Sequence, residues 1–329
     1  MRNQWDSKKL KLLDAFSSFD KRIPITAEKM HNGFIVTDDM FIDSIGEGSE
    51  DKFFISVKNK KFLVKDFSYN KRRKQKSLAP YCEYAGSNFI RLSGLLPCQK
   101  TYLGMYDKRH VVICEDLFSE CIFRPFKELH QSSAGTDLGN KEYTYEDVLY
   151  VLEKKEKLVG SEFSDFKEKF WLMFLFDAIL GNRDRHEGNW GFVKKNSKTT
   201  LAPIFDNGSS LFPDVDLSDW KHYQFVKDRV HKIPASQFKM WKPGIVDRPM
   251  RTNFYEIITE FHKIFKDELT RVGQIDYQTI AADSIVDVPE EVAEWFRVII
   301  ECRFRVLILG EDFDNVWEDV ARRYHYDLH

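Results

Sequence analysis

The sequence is short of cysteine and has no excess of charge of either sign, and each shortage narrows what the chain can be. Its five cysteines, Cys82, Cys98, Cys114, Cys121 and Cys302, are odd in number, scattered, and never form a Cys-x-x-Cys pair. That pattern spells neither a disulfide framework nor a thiolate zinc site, so free thiols in a reducing compartment are expected. Basic and acidic residues nearly cancel, 50 against 52, for a net charge of -2. The broad positive field that general nucleic-acid binding needs is missing, and no direct nucleic-acid binding is expected. Long apolar runs are lacking too: no segment could span a bilayer, and the charged start Met1-Arg2-Asn3-Gln4-Trp5-Asp6-Ser7-Lys8-Lys9 leads into no signal-like stretch. A soluble, cytoplasmic protein without a membrane span is the expectation, and delivery into a host cell is compatible with it.

What is present falls into two halves. Up to about residue 116 the apolar runs are short and broken by turns: Phe34-Ile35-Val36, Phe53-Phe54-Ile55-Ser56-Val57, Phe62-Leu63-Val64 and Val111-Val112-Ile113-Cys114. These predict strands, the middle two forming a hairpin across Lys58-Asn59-Lys60-Lys61, with one helix-like stretch from Tyr81 to Leu92. Lys71-Arg72-Arg73-Lys74-Gln75-Lys76 is either a phosphate-contacting basic cluster or a solvated loop. From Leu117 onward helical signals dominate, with one interruption. Phe166 to Leu180 is apolar on nearly every side at its end, Phe170-Trp171-Leu172-Met173-Phe174-Leu175-Phe176, which predicts a core helix stopped by Gly181. Phe254, Ile257, Ile258, Phe261, Ile264 and Phe265 recur at helical spacing, as do Val292, Trp295, Phe296, Ile299 and Ile300.

The chemistry concentrates just after the core helix, in Asn182-Arg183-Asp184-Arg185-His186-Glu187-Gly188-Asn189. Asp184 followed five positions later by Asn189 has the spacing of base and metal ligand in a kinase catalytic loop. Trp190 to Lys194 and Thr199 to Phe205 are strand-like about the turn-like Lys195-Asn196-Ser197-Lys198. A hairpin there would bring Asn189 at one end to Asp206 at the other, giving a magnesium ion two hard oxygen ligands beside Asp184. Asp206-Asn207-Gly208 stands where protein kinases carry Asp-Phe-Gly. Taken singly, these residues also read as ordinary turn formers and His186 as a packing residue; it is their conjunction that points to phosphoryl transfer.

These segments, with Ile204-Phe205-Asp206, resemble the catalytic and metal-binding motifs of HipA-like serine/threonine kinases, in length the shorter HipT- and CtkA-type members. The resemblance implies an α+β, two-lobed protein-kinase-like fold, with a strand-rich N-lobe over residues 1–116 and a mainly helical C-lobe over 117–329. It also implies ATP and Mg2+ as cofactors, Asp184 as base with His186 in the catalytic loop, and Asn189 and Asp206 as metal ligands. The same Asp-Arg-His-x-x-Asn string is similar to that of phosphoinositide kinases, so a lipid kinase is the rival enzyme and an inactive pseudokinase the rival binding module.

The upstream half offers the remaining parts. Phe62-Leu63-Val64-Lys65 ends a strand on a lysine suited to nucleotide phosphates, and Glu83 on the following helix is the candidate ion-pair partner. Glu115-Asp116-Leu117 is the candidate adenine hinge, with Glu115 and Leu117 as its contacts. Gly46 and Gly48 could let a loop fold over phosphates through its amides, although a plain hairpin turn fits those residues equally well. After Asp206 the run Ser209 to Trp220 holds Asp214, Asp216 and Asp219 and no Lys or Arg, which suits a protein acceptor with a Ser/Thr hydroxyl better than a phosphorylated inositol. The family also implies autophosphorylation of a loop serine, here Ser44 or Ser49, and an antitoxin-type partner or effector role that these residues do not choose between.

Overall fold

The computed structural model describes residues 41–45, 52–57, 60–66, 69–70, 75–106, 109–128, 144–159, 165–196, 198–240 and 250–327. Gly46, Gly48 and Ser49 lie outside the described residues, as do Lys71 to Lys74.

Strands β1 (Phe41–Ile45), β2 (Lys52–Val57) and β3 (Lys60–Asp66) are followed by the short pair β4 (Tyr69–Asn70) and β5 (Gln75–Lys76). Helix α1 (Ala79–Ser93) and strands β6 (Thr101–Tyr106) and β7 (Arg109–Glu115) come next. The five-stranded sheet has the order β1-β2-β3-β7-β6. Its pairing is antiparallel throughout, and Phe53 lies opposite Val64, which lies opposite Ile113. Side chains alternate across a strand. Phe53, Ile55, Phe62, Val64 and Ile113 therefore share one buried face, while Leu63, Lys65, Val112 and Cys114 share the other, toward α1. The first face is fully buried at these positions, while the second is half-buried at Phe54 and Leu63 and buried at Lys65, Val112 and Cys114, so burial alternates along β2 but not along the middle of β7.

Helix α1 is unusual for a helix at a sheet face because Ala79 through Ile90 are all buried. Gly86 sits in its middle, where glycine costs a helix up to about 1 kcal/mol. The compensation is proximity: a Cβ at Gly86 would stand 3.3 Å from Asn207 Cβ and 3.5 Å from Ser210 Cβ.

Beyond the sheet come β8 (Ile122–Pro125), α2 (Tyr145–Val159), α3 (Phe166–Leu180), β9 (Gly191–Lys195) and β10 (Lys198–Leu201). These are followed by α4 (Tyr223–His231), β11 (Pro234–Met240) and β12 (Met250–Asn253). The chain ends in α5 (Phe254–Phe261), α6 (Lys266–Gly273), α7 (Tyr277–Ser284), α8 (Glu290–Arg303) and α9 (Phe313–Tyr324). Among the described residues no helix is long and apolar enough to cross a membrane.

The core helix α3 has the extent expected of it, because Phe170 through Leu180 are all buried. Its aromatic residues meet those of later elements: Trp171 and Phe174 pack on Phe238 and Phe265. Gly181 ends it at φ 66, the left-handed conformation that glycine adopts without penalty. Arg303, fully buried, donates to the carbonyls of Ala178, Arg229 and Val230, so one guanidinium serves the C-terminal ends of both α3 and α4. Burial pushes its pKa down to about 9, and the negative ends of two helices are what it has in place of a carboxylate.

Three expectations need correction. The strands about the turn are β9 and β10, and the second stops at Leu201, because the chain then changes partners: Ile204 bridges Cys98, its amide donating to the Pro97 carbonyl at 2.9 Å. Pro203, which has no N–H, falls at the switch. Second, the helical half holds more strand than the one interruption foreseen. β8 adds to β9 as a third strand, and β11 pairs with β12. Third, the run Phe254 to Phe265 breaks after Phe261 into a 3-10 turn, His262–Phe265, which leaves Ile264 exposed instead of in the core.

Candidate active site

The loop that leaves α3 is a chain of tight turns stitched by its own side chains. Asn182 Oδ1 accepts from the Asp184 amide at 3.1 Å, and the Asp184 carbonyl accepts from the His186 amide at 2.8 Å. The same carbonyl accepts from Asn189 Nδ2 at 3.1 Å, so Asp184 and Asn189 are joined directly. His186 Nδ1 accepts from the Gly188 amide at 3.0 Å. Asn182 is buried beneath the loop, whereas Asp184 and His186 are exposed at its rim.

Three further residues, from distant places in the sequence, converge. Lys65 at the end of β3 donates to Glu83 Oε2 at 2.6 Å and to Asp206 Oδ1 at 2.9 Å. Lys65 and Glu83 are both buried. Burial alone would discharge Lys65, but Glu83 and then Asp206 outweigh it, and its pKa is raised well above the usual lysine value. Lys65 in turn is the main reason that Asp206 is held down to about 2, against the opposing effect of its own burial. Asp206 adopts φ 58, a left-handed conformation that aspartate and asparagine reach more readily than other residues with a side chain.

Arg185 and Asn207 were not singled out in the sequence, and they lie at the centre of the arrangement. Arg185 is fully buried between the exposed Asp184 and His186. Its Nε and Nη2 make a two-point contact with the Asp177 carboxylate at 3.1 Å each. Nη2 also donates to Asn207 Oδ1 at 2.6 Å, and Nη1 to the carbonyls of Asn189, at 3.2 Å, and Phe205. Asn207 continues the path: its amide donates to Glu83 Oε1 at 2.8 Å and its Nδ2 to Ser87 Oγ at 2.9 Å. One signal was readable beforehand. Asp177 is a carboxylate inside the otherwise apolar stretch from Phe170 to Leu180, and a buried charge demands a partner.

The hinge candidates are placed differently from each other. Glu115 is a strand residue whose amide donates to the Lys100 carbonyl at 3.0 Å and whose carbonyl accepts from Gln99 Nε2 at 2.8 Å. Its amide is thus spent inside the protein, and of the Glu115 backbone only the second lone pair of its carbonyl could serve an outside donor. Leu117 lies two residues on, its carbonyl accepting from Cys121 Sγ at 3.3 Å. Beside it Phe118 stacks on Phe123 with ring centres 4.4 Å apart, and both meet Phe205 edge-on, at 5.3 and 5.5 Å. A half-buried aromatic surface therefore links the hinge to the residue before Asp206.

The HipA-like C-terminal domain family model matches residues 44–265. Serine/threonine-protein kinase CtkA of Helicobacter pylori is 30% identical over 253 residues, 74% of this chain and 74% of that protein. The crystal structure of the Helicobacter pylori proinflammatory kinase CtkA is similar with a TM-score of 0.68 at 26% identity, covering 86% of this chain and 95% of that one. HipA of Shewanella oneidensis, solved with HipB and operator DNA, shares the fold at a TM-score of 0.51 and 13% identity, covering 95% of this chain and 75% of that one.

Proposed function

The chain belongs to the HipA-like C-terminal domain family, and from that footing we propose that it is a serine/threonine protein kinase that transfers the γ-phosphoryl group of ATP, with magnesium, to a protein hydroxyl. The observation that carries the reading is the convergence of Lys65, Glu83 and Asp206, residues far apart in the sequence, in one ion-paired cluster. The nucleotide-binding lobe is residues 1–116 and the catalytic lobe 117–329.

In this reading Lys65, kept charged by Glu83, meets the nucleotide phosphates, and Phe118, Phe123 and Phe205 offer the base an apolar surface beside the Leu117 backbone. Asn189 and Asp206 suit a hard divalent cation, since one is an amide oxygen donor and the other a carboxylate that stays ionised at any physiological pH. Such a cation, when bound, offsets phosphate charge in the transition state. Asp184, at the solvent-facing rim, accepts the proton of the incoming hydroxyl. His186 shapes the catalytic loop through its bond from Gly188.

A protein acceptor is favoured over a lipid headgroup. Asp214, Asp216 and Asp219 follow the metal hairpin, and Asp214 faces Arg183 Nη2 at 3.6 Å, so that guanidinium is already engaged by a carboxylate. An antitoxin-type partner and autophosphorylation at Ser44 or Ser49 belong to the same reading.

The test is transfer of label from radioactive ATP, with magnesium, to the protein itself and to a mixture of acceptor proteins, for wild type and Asp184→Ala. Label on serine or threonine in the wild type, lost in Asp184→Ala while ATP binding persists, is the expected result. Intact-mass and peptide analysis of the same samples reads self-modification. A wild type that binds ATP and labels nothing would make the chain a pseudokinase, and label on phosphoinositide vesicles alone would make it a lipid kinase.

A further inference from the structure

The five N–H groups of a guanidinium are its whole capacity, and in Arg185 each has an acceptor: Asp177 takes two, and Asn207 Oδ1, the Asn189 carbonyl and the Phe205 carbonyl take one each. Two of these acceptors have a particular place. Asn189 is the residue at the start of the β9–β10 hairpin, and Phe205 immediately precedes Asp206 at its far end. The outermost residues, Asn189 and Phe205, are therefore joined through a single nitrogen, Nη1, beyond the hairpin's own pairing, which runs from Lys195 opposite Lys198 to Phe192 opposite Leu201 and ends where the Ala202 amide donates to the Gly191 carbonyl at 2.8 Å. Past Ala202 the chain turns to another partner, Ile204 pairing with the 97–99 segment before Asp206 is reached.

We propose that Arg185 is the positioning residue of the metal site, setting the separation of Asn189 and Asp206 before any cation or nucleotide arrives. The inference rests on the kinase reading above and deepens it. Asp177 has the supporting part: it lies on the rigid core helix α3, takes two of the five bonds, and so fixes the plane in which the other three point. Lysine in place of Arg185 would retain a charge for Asp177 but present three donors about one point in place of a planar fork, so it could not hold both carbonyls. Asn207 extends the same frame to Glu83 and Ser87 on α1, and the missing Cβ of Gly86 gives it room. The metal hairpin and the helix that orients Lys65 are consequently built on one buried group.

The roles of outer-shell residues of this kind are read in metal affinity. With the full-length chain, Mn2+ binding is titrated in the presence of a non-hydrolysable ATP analogue, alongside binding of the analogue without metal. Amide hydrogen exchange over residues 189–207 is followed in the protein free of both. For Arg185→Lys, Mn2+ affinity should fall about 10- to 100-fold, with metal-free nucleotide affinity within about twofold of wild type. Exchange over 189–207 should be faster by at least about tenfold in the apo protein, a change that a loss confined to global stability would spread over all protected segments.

A folded Arg185→Lys with Mn2+ affinity and exchange both within about twofold of wild type overturns the proposal. Where that variant does not fold, the near-isosteric Asp177→Asn is put through the same two measurements, with about threefold or greater change expected and none overturning it. A wild type that binds no metal-nucleotide complex overturns the kinase reading and this inference together; a wild type that binds it beside an unaltered variant overturns this inference alone.

Discussion

Alanine at Gly181 should destabilise the protein by about 2–4 kcal/mol, and a second glycine supplies the control that apportions the loss. Gly181 holds φ 66 and Gly94 holds φ 71, each ending a helix in the left-handed region. An L-residue there costs about 1–2 kcal/mol, of which the stiffer unfolded chain returns about 0.4–1. For Gly94 nothing lies within 4 Å of the added carbon, so that difference, about 1 kcal/mol, should be the whole effect. At Gly181 the new carbon would stand 2.7 Å from Phe212 Cζ and 3.0 Å from its Cε2. Phe212 is buried, lies at a left-handed φ of its own, and is backed by Trp295 at 6.0 Å between ring centres. It cannot simply swing away, and overpacking of this sort adds about 1–3 kcal/mol. The assay is urea unfolding followed by tryptophan fluorescence. With a slope near about 3 kcal/mol per molar, Gly181→Ala should lower the midpoint by about 1 M and Gly94→Ala by about 0.3 M. Equal shifts for the two, at unchanged slope, would refute the reasoning, because they would leave the Phe212 contact with no energetic consequence.

Two further outcomes follow from charge. Asp206→Ala should lose most of the magnesium-dependent part of nucleotide affinity as well as turnover, since a metal ligand acts in the ground state; unchanged calorimetric binding of magnesium-ATP would remove Asp206 from the site. Asp287 accepts from the Tyr84 hydroxyl at 3.0 Å, while its other oxygen is buried without a hydrogen-bond partner among the described residues, and burial pushes its pKa up to about 6. The folded protein therefore keeps a proton that the unfolded chain gives up, so stability falls as pH rises through the interval from the usual aspartate range to about 6. Asp287→Asn should relieve that cost, by about 1–2 kcal/mol at pH 8 and by much less at pH 4. A thermal midpoint that drops at pH 8 would contradict it.

The parts legible in the sequence were those in which neighbours along the chain share one cause. Helix α3 could be read because its run from Phe170 to Phe176 is apolar on every side and it ends on a glycine, and both facts are local. Lys65 could be read from the strand before it, and Glu83 from the helix after it, because the order of elements brings them together. Strand β8 could not. Its residues alternate between exposed and half-buried with none fully inside, so Ile122 to Pro125 carry no apolar face to detect. The end of β10 was misplaced because Thr199 to Phe205 is extended throughout; extended backbone says nothing about which partner accepts its hydrogen bonds. Arg185 in a polar run looks like any exposed arginine. Only the fold shows that its neighbours on both sides face solvent while it points inward.

The division between what is exposed and what is buried at this site has its own logic. Lys65, Glu83, Asp177 and Arg185 are all buried charges, and each is paired with an opposite one. Buried pairs return little net stability, because desolvation cancels most of their attraction, so stability is a poor reason for a fold to contain them. Their gain is geometry: a charge deprived of water has few alternatives to the partner it holds, and it therefore keeps its direction. Arg303 supports the point from the opposite side. It is as deeply buried but faces carbonyls at two helix ends in place of a carboxylate, and its pKa falls where that of Arg185, despite the same opposing effect of burial, is raised by Asp177. The paired charges thus form a fixed floor running from α3 through Arg185 and Asn207 to Glu83 and Lys65. Asp184 alone among the proposed reacting carboxylates is left at the rim, where a bulky polypeptide acceptor can reach it without that floor having to move.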